Sequence, residues 1–575
     1  MNNTQFTDLA QNTSQTRIEL KINSTILQDK NKLKQLKSYF EANQQIVFMR
    51  LKISDKINDD ILQGLAFIQN VAILHLEFKK AIIKGDLLLQ IINNSSNPNS
   101  LKYLSIEFQE SYIVQFSQKE SQKQLFTMFS YLTEVNILCQ ESYFDILVFK
   151  QIVNTLTTSP NIRVLDIYYM NLDEQNDQFI LEDQSYNVIA DPNTNCELFE
   201  EIKASINQLS LNFHQQNINF YQNVFKLTNN FQYLPQLQIL KLQITNKHVL
   251  QDQYKLIFTD IAKLKELIQM DLQVYDSNIN NIILQLILQS LSNLVNLESI
   301  NIDMSQNQIF GDGFQDSELF FSKCKKLKRV QLILSNCGEE VQLNSLAKSL
   351  QLAQNLHYLY LDITNLQIQD EFALQLGQNL QKLASINELR LLFSENKITD
   401  KGISGISYAI EQLNQLEQIS ISLQNNYITE AGYLHLKNSL QKKSTLKNID
   451  QDFKWHKDGL NIANNFAEIL ISENSSIRNL ELNIRVFDQL SLNIVDQIQK
   501  SIQQQKNVET LIIDTNKEFF TLSASQKPLP VSDLKQLKRL IIFSDLYLSP
   551  EMRQVRKYIV RKSQRLIELI ITNYF

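Results

Sequence analysis

Residues 389–402, LRLLFSENKITDKG, place Leu389, Leu391 and Phe393 at alternate positions and then run through polar residues to a glycine. Side chains two residues apart project from the same face of an extended chain, so the segment predicts a strand with one apolar face that runs into a bend. Residues 419–432, ISISLQNNYITEAG, repeat the phrase thirty positions later. Only 10 glycines occur in the whole chain, yet Gly402 and Gly432 fall at matching points, where they are expected to turn the chain into the next segment.

Extending the phrase upstream gives a template of apolar residues at relative positions 1, 4, 6 and 8, in which Ile386 and Leu389 lead into the strand. It recurs along the sequence, for example from Leu101 (LKYLSIEF), Ile162 (IRVLDIYY), Leu237 (LQILKLQI), Leu297 (LESINIDM), Leu356 (LHYLYLDI), Ile477 (IRNLELNI) and Leu537 (LKRLIIFS). From Ile206 to Leu566 successive starts are 29 to 31 residues apart, and about eighteen or nineteen units account for nearly all of the chain. Between them lie segments such as EFALQLGQNLQKLAS from Glu371, with apolar residues three and four apart, the spacing of a helix with one apolar stripe. A strand and a helix in thirty residues cannot bury both apolar faces alone, so the units must stack.

The core L-x-L-x-x-N-x-I-x-x-x-G is carried by Leu391, Phe393, Asn396, Ile398 and Gly402, by Ile421, Leu423, Asn426, Ile428 and Gly432, and by Ile302, Met304, Asn307, Ile309 and Gly313. This pattern resembles leucine-rich repeats, and the length of the unit is similar to the ribonuclease-inhibitor-like subfamily. The resemblance implies an α/β leucine-rich-repeat solenoid, a curved horseshoe with a parallel concave sheet and helices on the convex side. The extra upstream apolar pair suggests strands longer than the family norm. Asn307, Asn396 and Asn426 would satisfy backbone groups at each bend. Cys337, Ser277, Ser111 and Leu366 stand in their place elsewhere, where a looser bend is expected; Cys337 is then structural.

The organisation expected is a flexible tail over residues 1–14 and a single solenoid over 15–575. The interval from Ile162 to Ile206 is longer than the period, which places an acidic insertion within 170–205, from Asp173 to Glu201 against a single base, Lys203. Net charge is −6, too small for its size to attract nucleic acid or an anionic membrane as a whole. The apolar runs are too short to span a bilayer, and neither a secretory signal nor paired cysteines are evident, so a cytoplasmic protein is expected. Phosphate-binding loops, kinase signatures, H-E-x-x-H and G-x-S-x-G are missing, and the 6 histidines are scattered. No catalytic residue, metal or cofactor is therefore assigned. Trp455 and His456 stand in an irregular unit, where Gln451 replaces an apolar residue and a distorted rung is expected.

Outward strand positions 5 and 7 should line the concave face. In the second half they are rich in carboxylates, and at the C-terminal end they turn apolar, as an exposed patch. The candidate partner-binding residues are Tyr168, Asp271, Asp303, Tyr360, Asp362, Leu392, Asp450, Asp452, Glu481, Asp514, Ile541 and Phe543. They suit a non-catalytic interaction scaffold that holds a protein partner, basic rather than acidic, on the concave face or the insertion. The family resemblance also allows a Ran-activator-like regulator of a small GTPase, and the apolar end allows a structural subunit of a cytoskeletal assembly.

Overall fold

The computed structural model describes residues 17–22, 47–56, 71–84, 100–114, 131–140, 142–144, 159–171, 206–215, 234–245, 249–338, 342–452, 477–483, 506–515, 534–544, 549–562 and 565–572, with single positions 31, 38, 88, 152, 153, 156, 231, 499, 500, 502 and 503. The tail over 1–14, nearly all of the acidic insertion, Cys196, Trp455 and His456 lie outside the described residues. Two compact units divide the chain, Met1–Asn278 and Ile279–Phe575.

The first unit contains β1 (Arg17–Ile22), β2 (Phe48–Lys56), β3 (Ile73–Lys84), β4 (Tyr103–Gln109), β5 (Tyr112–Val114), β6 (Glu134–Gln140), β7 (Tyr143–Phe144), β8 (Val164–Asn171), β9 (Gln208–Gln215), β10 (Ile239–Thr245), α1 (Gln251–Ile261) and β11 (Gln269–Gln273). Its main ladder is parallel throughout and runs β1, β2, β3, β4, β6, β8, β9, β10, β11. The far end of β3 also starts a short second ladder with β5 and β7.

The second unit contains α2 (Asn281–Leu291), β12 (Ser299–Asp303), α3 (Ser317–Lys323), β13 (Arg329–Ile333), α4 (Asn344–Leu350), β14 (Tyr358–Asp362), α5 (Asp370–Leu380), β15 (Glu388–Leu392), α6 (Asp400–Gln412), β16 (Gln418–Ser422), α7 (Glu430–Gln441), β17 (Asn448–Asp452), β18 (Asn479–Asn483), β19 (Thr510–Thr515), β20 (Arg539–Ser544), α8 (Pro550–Lys562) and β21 (Glu568–Thr572). Strands β12 to β21 pair in parallel in sequence order. Parallel neighbours need a crossover, and the thirty-residue period leaves room for one in each unit. Each unit of the chain thus carries the architecture of an α/β leucine-rich-repeat solenoid.

The opening phrase shows how a rung is built. Leu389, Leu391 and Phe393 are fully buried, while the intervening Glu388, Arg390 and Leu392 are not. Thr399 caps α6 by accepting a hydrogen bond from the Lys401 amide, and Ile403, Ile406 and Ile410 form the helix's buried stripe. The strand itself is only five residues long. Ile386 is buried between the preceding turn and the strand, while Leu389 lies within the strand, so only one member of the upstream apolar pair belongs to β15. At Gln451 the parallel register runs without a shift from β16 through β17 to β18, and the remainder of that rung, where a distortion is expected, lies outside the described residues.

At the described bends residues take a left-handed conformation: Lys80, Glu110, Asp276, Gln306, Asn336, Asn365, Glu395 and Asn425 all have positive φ, joined by Asn278 and Gln367 two residues beyond Asp276 and Asn365. The next residue holds the backbone together. Asn396 accepts from the amides of Leu366 at 3.2 Å and Ile368 at 2.9 Å, and donates to the Ile363 and Phe393 carbonyls at 2.9 and 3.0 Å. Asn307 and Asn426 do the same for Ile279 and Ile398. The substitutes do not leave the bend loose. Ser111 accepts from the Ala81 amide at 3.0 Å, Ser277 donates to the Ile244 carbonyl at 2.9 Å, and the Cys337 thiol donates to the Met304 carbonyl at 2.9 Å. Leu366 offers no polar group, and the asparagine of the following unit takes up its amide.

The glycines at the repeat's glycine position, Gly313, Gly402 and Gly432, serve packing and not turning. Gly402 and Gly432 lie inside the first turn of α6 and α7, and a Cβ on Gly402 would stand 2.5 Å from Asp370 Oδ1 and 2.8 Å from Ile398 Cγ2. On Gly432 it would stand 2.4 Å from Asp400 Oδ1. Gly313 repeats the arrangement against Ile309 and Asn281. The space is filled because Asp400 accepts from the Thr429 amide and hydroxyl at 2.7 and 2.6 Å and from the Gly432 amide at 3.1 Å, and Asp370 holds Thr399 and Gly402 in the same way. One aspartate therefore fastens the start of the next helix. Forcing a methyl group against it strains the packing by about 1–3 kcal/mol. Gly402→Ala and Gly432→Ala are each expected to lower the unfolding free energy obtained from urea titration by that amount, whereas a turn glycine of negative φ would tolerate alanine.

Candidate functional site

Alternation puts strand positions 3, 5 and 7 on the face of each ladder opposite the core, and every sequence-predicted binding residue belongs to this set. Tyr168 and Asp271 are half-buried on the first unit's open face, where they help line a hollow of about 340 Å³. In the second unit Asp303, Tyr360, Asp362, Leu392, Asp450 and Glu481 are half-buried on the open face, and Phe543 is half-buried near its end. The side chain of Asp452 lies outside the described residues.

Two expectations fail. Asp514 is only 3% exposed, flanked on the next strand by Phe543, and does not form part of an acidic lining. Ile541 is only 8% exposed, because Ile512 and Ile570 stand beside it in register on the adjoining strands and cover it. The apolar end is a mutually shielded row whose exposed member is Ile570.

The carboxylates of the open face divide by what they touch. Asp303 accepts from the Ser305 amide at 3.0 Å and hydroxyl at 2.6 Å, and Asp362 accepts from the Thr364 amide at 3.0 Å. Both therefore close the end of their own strand. Burial raises the Asp362 pKa above its usual 3.8 despite those hydrogen bonds, and the charge of Asp303 adds to the rise. Burial, with Asp362 and Tyr358 nearby, lifts the Tyr360 hydroxyl to about 12. In the first unit Glu77 is ion-paired to Arg50 at 2.8 Å and Lys52 at 3.0 Å; burial opposes its charge, but these cations outweigh it and hold its pKa below 4.5.

The second unit has a hollow of about 240 Å³ lined by Glu388, Arg390, Ser420, Asp450, Glu481 and Ile512 among others. Arg390 is tied to Glu388 at 2.9 Å, and Ser420 donates to Asp450 at 2.8 Å. Asp450 and Glu481 face each other in register on β17 and β18. Position 3 of each strand is equally part of this face and was missed by a search confined to positions 5 and 7. There Arg329 lies over the Tyr358 ring at 3.9 Å, a cation–π contact. The same alternation, read two residues further upstream, would have found it.

Among the described residues no group of three or more His, Cys, Asp or Glu side chains could hold a metal ion, and no helix is long and apolar enough to cross a membrane. Cys139, Cys324 and Cys337 are buried free thiols; burial pushes the latter two up to about 12, so they are poor nucleophiles at neutral pH.

No protein-family model matches the chain, and no curated protein matches it. Among solved structures it is similar to the leiomodin-1 actin-binding site 2, with 19% identity over 23% of this chain and 70% of that one and a TM-score of 0.19. It is also similar to the Rad7 and Elc1 complex in yeast, with 16% identity over 59% of this chain and 77% of that one and a TM-score of 0.34. At these values neither likeness bears on what the chain binds.

The raised pKa of Asp362 has a consequence for stability. The folded state takes up its proton more readily than the unfolded state, so the ionised carboxylate weakens folding as pH rises above 3.8 through the folded value. Asp362→Asn, which keeps an acceptor for Thr364, is expected to raise the unfolding midpoint at neutral pH. The gain should vanish below the usual carboxylate value, where both forms are neutral; thermal melts across that range check it.

Proposed function

We propose that this chain is a non-catalytic protein-interaction scaffold of the ribonuclease-inhibitor-like kind, which holds a basic protein partner against the open sheet face of its second unit. The supporting observation is one row of side chains: Asp450 and Glu481 stand in register, followed by Ile512, Ile541 and Ile570 on the next three strands. Two carboxylates side by side on adjacent strands give this stretch of the face a negative character that favours a basic surface. Ile512 and Ile570, the members of the row that are not buried, offer apolar contact area to the same partner. A row that joins like charges to apolar surface serves an interface better than it serves the isolated fold.

The subfamily assignment rests on the 29 to 31-residue period and on helices of 11 to 13 residues in the regular repeats, α5 to α7. A cytoplasmic setting agrees with three buried thiols that form no disulfide. Complementary charge acts mainly on association rate and on salt dependence. Partners captured by the full chain should therefore be lost, or become insensitive to added salt, with the double variant Asp450→Asn and Glu481→Gln, and cross-links from them should fall on β15 to β19. An unchanged set of partners with unchanged salt dependence would reject this face.

A further inference from the structure

The first unit's hollow contains acceptors that the protein leaves unused. Asp166 Oδ1 on β8 and Asn212 Oδ1 on β9 are shielded from solvent and have no hydrogen-bond partner. Both residues line the same hollow of about 340 Å³, together with Tyr168, Ser210, Lys241 and Gln243. In register Asp166 faces Ser210 and Tyr168 faces Asn212, so the two open acceptors sit diagonally across neighbouring strands beside an aromatic ring. Asn212 is fixed in this orientation, because its amide donates to Gln243 Oε1 at 2.6 Å and Gln243 in turn donates to the Tyr275 hydroxyl at 3.3 Å. Its carbonyl oxygen takes no part in that chain and remains without a hydrogen-bond partner.

Buried acceptors are nearly always satisfied, so two in one hollow point to a missing donor. Lys241 does not fill the role: its side chain is exposed, and its register mates are Ser210 on one side and Asp271 on the other. A metal ion is poorly served, since among the described residues no three ligating side chains converge. A guanidinium fits the demands. It is planar, carries five donors that can reach a carboxylate and an amide oxygen on different strands at once, and tolerates an aromatic wall.

We infer that the hollow between β6 and β11 is an arginine-binding site, built to take the side chain of a partner's arginine with Asp166 and Asn212 as its acceptors. It deepens the scaffold reading, on which it rests for the source of the arginine, and names a second point of attachment in the other unit of the chain.

The test uses small probes, so that its outcome does not depend on any protein partner. Calorimetric titration of the full chain with N-acetyl-arginine amide should give saturable binding in the millimolar range, and the neutral citrulline counterpart should not bind. Asp166→Asn should weaken binding by about tenfold or more, as expected for loss of a charge-assisted pair. Asn212→Leu, a variant that does not touch the carboxylate, should weaken it severalfold; circular dichroism establishes that both variants fold. The double variant Asp450→Asn and Glu481→Gln should bind the probe as the parent does. Equal binding of the citrulline probe, absence of arginine binding, or its loss with the Asp450 and Glu481 double variant would each overturn the site. Success here alongside failure of partner capture on the second unit would reject that interface while leaving the arginine site standing.

Discussion

Every bend of this chain needs an answer for backbone amides and carbonyls that no strand or helix can pair. The answer is supplied by the neighbouring rung. The Asn396 side chain satisfies Ile368 and Ile363 of the preceding repeat as well as Phe393 of its own, and Asn426 then satisfies Ile398. A buried polar group left unpaired costs about 1–3 kcal/mol, so a rung without its neighbour would be short of stability at the very place where it turns. The stack therefore forms as a unit of neighbours, and its energetics are those of adjacent pairs.

The helix side follows the same logic with different groups. An aspartate in the first turn of one helix reaches the threonine cap and glycine amide of the next, and the glycine is required because the aspartate occupies the space of a Cβ. Asparagine at the bend and aspartate at the helix start are thus two fasteners between the same pair of rungs. Gly377 shows the limit of this closeness: a Cβ there would meet the Gly405 carbonyl oxygen of the next helix at 2.3 Å. Leu366 supplies no such fastener to the rung before it, while its own amide is held by Asn396 of the next rung.

The repeat, the parallel ladder and the buried side of each strand were legible in the sequence because burial imposes a period, and period survives the loss of individual residues. Leu389, Leu391 and Phe393 needed no tertiary information to be assigned to the core. What was not legible was contact across repeats. Gly402 looked like a hinge because glycine has two uses, conformational freedom and absence of a side chain, and only the position of Asp370 decides between them. Ile541 looked exposed because alternation assigns a face but not the shielding provided by Ile512 and Ile570 on either side. The open acceptors of Asp166 and Asn212 were invisible for the same reason, since an unsatisfied group is defined by its neighbours.

This distinction also decides which outward residues bear on function. Asp303 and Asp362 belong to the acidic strip by sequence, but their oxygens are occupied with Ser305 and Thr364, and removing them would disturb the strand ends. Asp450 is engaged differently, accepting one hydrogen bond from Ser420 of the preceding strand and standing beside Glu481 on the next. In a fold where asparagine at the bends and aspartate and glycine at the helix starts join rungs, the contacts of the open face, such as Ser420 to Asp450, are made by different side chains, so changes there leave the bend and helix fasteners in place. Rung-to-rung variation along that face is therefore compatible with the stack, because polar substitutes such as Ser111, Ser277 and Cys337 still hold the bends behind it.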